Sequence, residues 1–246
     1  MIRFLYAFWS AITTIVFALS FFLFLLVWEI FIRIAYLFGY QVSQQVMHTL
    51  MWWLLQLMKI VGSSVKFLPA QCTLEHNRPL ILVSNHQSLF DIVFAFWYFR
   101  KFHVKFVSKK ELATFTPTVA FHLRNGHHAI IDRKDREQAT AAIAKMAQKA
   151  EKEHFAALIY PEGSRSRNGK LREFKLRGLS VMLENMPSAL VVPICIKGSW
   201  QLTPNKFTYV PFGTKCSFEV LQAIEPRGMS AEDVLSLCEQ RIREVL

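Results

Sequence analysis

Residues 80–91 read "LILVSNHQSLFD". The run Leu80 to Val83 is apolar throughout, as a strand buried on both faces would be. Ser88-Leu89-Phe90-Asp91 fits the Ser-x-x-acid box that opens a helix, in which Asp91 closes the first turn. That box accounts for Asp91 and leaves His86 unexplained. A spacing of five turns a regular helix by roughly 500°, so His86 and Asp91 cannot share one helical face. With His86 at a strand end and the helix opening near Ser88, the turn between them can fold the two side chains together. On spacing alone a catalytic pair and a plain helix cap both stand.

The same alternation continues downstream. Apolar runs "VKFVS", "HAIID", "AALIYPE", "ALVVPICI" and "CSFEVLQAI" are separated by helical patterns at 89–99, 111–124, 136–152, 175–186 and 230–246. Short strands interleaved with helices predict an α/β fold with a mostly parallel mixed sheet flanked by helices. The Ala-rich "REQATAAIAKMAQKAEKE" is the clearest amphipathic helix, and Ser230 caps the last one. The change of periodicity near Pro69 divides the chain into residues 1–68 and an α/β domain at 69–246.

The upstream part has a different character. From Phe4 to Trp28 there are 25 residues without a charge, roughly 37 Å as a helix and enough to cross a hydrocarbon core of about 30 Å. A cleaved signal peptide fits poorly, because the stretch is too long for its apolar region and no small-residue cleavage site succeeds it. Ile34 to Met58 is also uncharged but is broken by Gln41, Ser43, Gln44, Gln45, His48 and Gln56. Its strongly apolar part, "LMWWLLQLM", is too short to span, so the expectation is a monotopic or hairpin membrane-anchoring helical arm. Lys59 and Lys66 at its far end favour the cytoplasmic face of an inner membrane for the α/β domain.

Composition agrees. The hydrophobic fraction is 52%, with 22 Phe and 6 Trp, more than a soluble domain carries. The net charge of +11 calls for an anionic partner. Cys72, Cys195, Cys216 and Cys238 form no C-x-x-C pair, so neither a zinc site nor a disulfide framework is indicated and no cofactor is expected.

Three polar clusters come directly after apolar runs, where α/β sheets gather ligands. They are Asn85, His86 and Asp91; Arg133, with Lys109 and Lys110 upstream; and "PEGSRSRNGK" at 161–170. Solvated charge or an ordinary Glu-Gly turn would explain any one of them alone. Gly163 to Lys170 is not a P-loop: five residues separate Gly163 from Gly169, and Leu171 stands where a metal-binding hydroxyl is required. No G-x-S-x-G elbow occurs, which removes a serine hydrolase.

Together the clusters resemble the glycerolipid acyltransferases, specifically the 1-acylglycerol-3-phosphate acyltransferases. Asn85, His86 and Asp91 match Asn-His-x-x-x-x-Asp; Gly126 to Arg133 matches the apolar stretch ending in Arg, with Lys109 upstream; Pro161-Glu162-Gly163-Ser164-Arg165 matches Pro-Glu-Gly-Thr-Arg; and Val192-Pro193-Ile194 matches the fourth motif. The likeness covers about residues 78–200 and extends to the apolar N-terminal arm. It departs at Ser164, which keeps the hydroxyl of the usual Thr, and at Pro117-Thr-Val-Ala120, where the family has Pro-Phe-x-Gly.

The resemblance implies His86 as general base and Asp91 as its partner. It implies Lys109, Arg133, Glu162, Gly163, Ser164 and Arg165 as substrate-binding residues, with Glu162 orienting the acceptor. It further implies acyl carrier protein or acyl-CoA as donor, a lysophospholipid acceptor at an anionic membrane surface, and no nucleic acid. Oxyanion donors are expected among the backbone N–H groups near 162–164. The rivals are an acyltransferase for another lysolipid, and a non-catalytic anchored protein that binds through the basic patch at 165–177.

Overall fold

The computed structural model describes residues 2–202 and 209–246. It opens with two helices, α1 (Ile2–Leu37) and α2 (Tyr40–Leu57), that pack against each other as a hairpin. The reversal uses Gly39 at φ 109°, a backbone region closed to most side chains. The second arm is thus a full helix, Gln-rich part included. Its inward stripe, Ser43, Gln44, Met47, Leu50, Met51 and Leu54, recurs at helical spacing, so the glutamine at 44 faces protein.

A short 3₁₀ turn (Met58–Val61) leads to β1 (Ser64–Phe67), a strand inside the stretch expected to be anchor. The α/β part continues as β2 (Leu80–Ser84), α3 (Phe90–Tyr98), β3 (Lys105–Lys109), α4 (Leu112–Phe115), α5 (Val119–Asn125), β4 (Ala129–Ile131), α6 (Arg136–Glu153), β5 (Ala156–Ile159), α7 (Leu176–Asn185), β6 (Leu190–Lys197), β7 (Lys215–Val220) and α8 (Ala231–Val245). The single helix expected at 111–124 is two. Pro117 lacks the N–H a continuing helix needs, and Thr118 turns to φ 61°.

Among the described residues seven strands are ordered β1-β7-β6-β2-β5-β3-β4, and every pairing between them is parallel except β6 with β7. The sheet is therefore mixed and mostly parallel, as expected. β2 lies near the middle and is buried along its whole length. Its alternate residues serve two cores. Leu80 and Leu82, with Leu158 and Val192, face a cluster that includes Phe17, Leu25, Leu50, Leu54, Phe90 and Phe94 of the first three helices. Ile81 and Val83, with Ile159 and Val191, face α6, α7 and α8 through Met146, Met182 and Ile242.

α1 is long and apolar enough to cross a membrane by length and composition. Its polarity is nevertheless inside out. Ser10, Thr13 and Thr14 are buried against the α/β part, while Phe4, Phe8, Leu19, Leu23 and Leu26 are exposed. Thr14 Oγ accepts from the Val210 N–H at 2.9 Å and gives its own proton to the Ser10 carbonyl at 2.6 Å. Tyr6 donates to the Phe212 carbonyl at 2.7 Å, and Phe212 N–H donates to Ser10 Oγ at 3.2 Å. At the other end Thr118 donates its hydroxyl to the Leu25 carbonyl at 2.7 Å and its N–H to Glu29.

Candidate active site

The parallel strands β2, β5, β3 and β4 lie side by side, so their carboxyl ends open on one edge of the sheet. All three polar clusters sit there. The turn after β2 carries His86, whose Nδ1 lies 2.8 Å from Asp91 Oδ2 in the first turn of α3. The same oxygen accepts the N–H groups of Gln87 at 2.6 Å and Ser88 at 2.7 Å. Asp91 therefore both closes the helix start and holds the imidazole, so one carboxylate makes the helix cap and the side-chain pairing that the spacing allows. In the neutral tautomer whose Nδ1–H donates to this carboxylate, Nε2 carries the lone pair. The Asp91 side chain is wholly buried; that of His86 is 14% exposed.

The His86 turn is tied on both sides. Asn85 donates to the Ile196 carbonyl and accepts from the Ile196 N–H, each at 2.8 Å, stitching the turn to β6. His86 N–H donates to Glu162 Oε1 at 2.6 Å, and the His86 carbonyl accepts from Ser166 N–H at 2.7 Å. The Tyr160 ring stacks on the imidazole, centroids 4.1 Å apart and planes at 19°. With three of its sides engaged, the histidine is held in one orientation.

Glu162 stands differently from the acceptor-orienting residue the resemblance implies. It is 2% exposed and does not line the cavity at the site. Its second oxygen accepts from Arg172 N–H at 3.0 Å, so the carboxylate clamps the 161–172 loop to the histidine turn. Burial pushes it up to about 7, against the pull of the His86 and Arg172 N–H groups. The expected oxyanion donors narrow as well, because Gly163 N–H is spent on the Tyr160 carbonyl at 3.0 Å.

The other expected residues surround a cavity of about 1400 Å³: Lys109, Arg133, Gly163, Ser164 and Arg165 all line it beside His86. So do Arg167, Lys170, Arg172, Lys175 and Arg177 of the basic patch, together with Arg136. The two lysines of "SKKEL" divide: Lys109 faces the cavity and Lys110 is paired with Asp132. The wall also has apolar members, among them Leu89, Ile92, Val107, Leu112, Ile131 and Ile143. A pocket with one imidazole, many cations and an apolar wall suits an anionic amphiphile.

Two site residues escape the sequence reading. Tyr160 precedes the third motif as the end of an apolar run and reads as core. Ser199 lies just after β6, 108 positions from Asp91, yet donates to Asp91 Oδ1 at 2.6 Å. Its sole signal in the sequence is the Gly198-Ser199 pair at a strand end.

Residues 68–197 match the acyltransferase family. The chain belongs to that family. Among its relatives, the Homo sapiens 1-acyl-sn-glycerol-3-phosphate acyltransferase beta is 29% identical over 164 residues, covering 67% of this chain and 57% of the relative. The Cocos nucifera 1-acyl-sn-glycerol-3-phosphate acyltransferase is 31% identical over 124 residues, covering 50% and 39%. The chain thus spans between two fifths and three fifths of these relatives' lengths. The crystal structure of the 1-acyl-sn-glycerophosphate (LPA) acyltransferase PlsC from Thermotoga maritima matches with a TM-score of 0.79 at 20% identity, over 96% of this chain and 94% of that one. It shares the fold, helical arm included.

Proposed function

We propose that the protein transfers a fatty acyl group from a thioester donor to the free hydroxyl of 1-acylglycerol-3-phosphate, giving phosphatidic acid for phospholipid synthesis. The observation that carries this reading is the 2.8 Å His86–Asp91 pair at the wall of a cation-ringed cavity. His86 Nε2 takes the proton of the acceptor hydroxyl as its oxygen attacks the thioester carbonyl carbon, a role worth roughly 10² to 10⁴ in rate. The tetrahedral intermediate collapses by breaking the C–S bond, and the imidazolium returns its proton to the departing thiolate. Asp91 holds the tautomer and stabilises the imidazolium between the two steps.

Arg133, Arg165 and Lys109 grip the acceptor phosphate, where a guanidinium can hold two oxygens at once. The cations from Arg167 to Arg177 receive the donor, either an acidic carrier protein or the phosphates of CoA. Residues 1–68 seat the molecule on the membrane, with the α/β part on the cytoplasmic face of an inner membrane, so the lipid acceptor is reached from the bilayer.

The test is purified protein in mixed micelles with lysophosphatidate and labelled acyl-CoA or acyl carrier protein. Labelled phosphatidate should form, and His86→Ala should lower its rate at least a hundredfold. Product formed equally well by His86→Ala, or from a different lysolipid alone, would overturn the reading.

A further inference from the structure

Asp91 uses its two oxygens differently. Oδ2 takes His86 Nδ1 and the N–H groups of Gln87 and Ser88. Oδ1 faces away from the histidine and accepts the Ser199 hydroxyl at 2.6 Å, a length typical of an O–H donor on a carboxylate. Both residues are fully buried. The Gln87 side-chain oxygen, 3.4 Å from the same hydroxyl, is a distant alternative acceptor.

The backbone around Ser199 is shaped for this contact. β6 ends at Lys197, and the chain must turn sharply to bring residue 199 back under the carboxylate. Gly198 makes that turn at φ 77°, where a Cβ would stand 2.4 Å from the Lys215 carbonyl oxygen of β7. Asn85 fastens the histidine turn to Ile196 of the same strand end. The base, its carboxylate and the serine therefore share one rigid support.

We propose that Ser199 is a positioning residue of the acyl transfer: its hydroxyl fixes the Asp91 carboxylate and withdraws charge from the oxygen that faces His86. The inference rests on the reading of His86 as base. A donor on Oδ1 spreads the carboxylate's negative charge, so less of it falls on the oxygen bound to His86 Nδ1. It also adds a hold on the second oxygen of a carboxylate whose first is bound by His86, Gln87 and Ser88, narrowing the tilt that would misalign Nε2 toward the acceptor hydroxyl.

In Ser199→Ala, kcat should fall roughly ten- to hundredfold, with KM for lysophosphatidate within about twofold, because no substrate contact is lost. The acid limb of the kcat/KM profile should move to higher pH by about half a unit or more, as His86 becomes more basic. Ser199→Cys, close in size with a weaker donor, should fall between wild type and Ser199→Ala on both measures. It also supplies the readout if the alanine variant does not fold.

Thermal unfolding of each variant separates misfolding from misplacement. A folded variant whose acid limb and kcat match wild type overturns the proposal. His86→Ala, assayed alongside, keeps the two readings apart. Loss there with no effect at position 199 sinks this inference alone, whereas retained activity in His86→Ala sinks the assignment of the base beneath it.

Discussion

Arg165 is half-buried beside two other guanidinium groups. Burial, and after it the charge of Arg167, lower its hold on its proton; Arg133 adds to this and Asp91 opposes it. Like charges gathered in a partly dry wall repel until an anion neutralises them, so on the proposed reading the cavity should prefer a phosphate over a neutral headgroup. A charge-assisted hydrogen bond is worth about 1.5 to 3 kcal/mol. Arg133→Ala or Arg165→Ala should then raise KM for lysophosphatidate roughly ten- to hundredfold and change kcat less. Arg165→Lys should recover only part of the loss, since an ammonium cannot take two phosphate oxygens in one plane. Steady-state kinetics with lysophosphatidate and with a lysolipid lacking the phosphate would show it; equal effects on both acceptors would remove these residues from phosphate binding.

Among the elements, the helical arm departs furthest from a simple tether. A span standing across a bilayer would present lipid-facing residues around its circumference, whereas α1 lays a stripe of Ser10, Thr14, Phe17 and Leu25 against the rest of the molecule. It is bonded near one end through Tyr6 and near the other through Glu29 and Leu25. Both ends should therefore lie on the same side of a membrane. Single cysteines at Phe4 and Leu37, 74% and 83% exposed, in a chain lacking Cys72 should both react with an impermeant maleimide from one face of sealed vesicles. Labelling of the two positions from opposite faces would establish a span instead.

Other elements show where the sequence was readable. β2, β3, β5 and β6 and the helices α3, α6, α7 and α8 lie where their apolar periods put them, because those periods reflect burial directly. β1 has four residues, two of them polar and outward, and so carries almost no periodic signal. The break at Pro117 was open to reading from proline alone, yet the apolar period of Glu111 to Arg124 runs across it. His86 and Asp91 were legible because a single turn joins them. Ser199 was not, because its partner is distant in sequence and is brought near by strand order.

At the scale of the molecule, the arm and the α/β part share one core, in which Phe17, Leu25, Leu50 and Leu54 pack with Leu80, Phe94 and Phe218. Polar groups are enclosed there too. Lys105, 2% exposed, donates to Tyr40 and, at 3.3 Å, to Gln44 of α2; burial lowers its pKa to about 7. His122 and His128 lie nearby with ring centroids 4.7 Å apart. Burial, with Lys105 adding to it, lowers His122 to about 3. The folded chain thus keeps His122 neutral while the unfolded chain protonates it below pH 6.5, so its contribution to stability declines as pH drops from 6.5 to about 3. From pH 6.5 to 5 that amounts to about 2 kcal/mol. Glu162, raised to about 7, works in the opposite direction, so the comparison must be between variants. Over that range His122→Phe should gain about 2 kcal/mol of unfolding free energy relative to wild type. Chemical denaturation at the two pH values measures it, and parallel curves would refute it.

The double bonding of α1 sets more than topology. A catalytic module on a slack leash would bob at many heights above a lipid surface, meeting headgroups at the right level only some of the time. Here the exposed apolar face of the first helix and the mouth beside His86 belong to elements that share one core. On the reading proposed above, the molecule would thereby carry its own depth gauge, the elevation at which a lipid hydroxyl meets the imidazole being set when the chain folds.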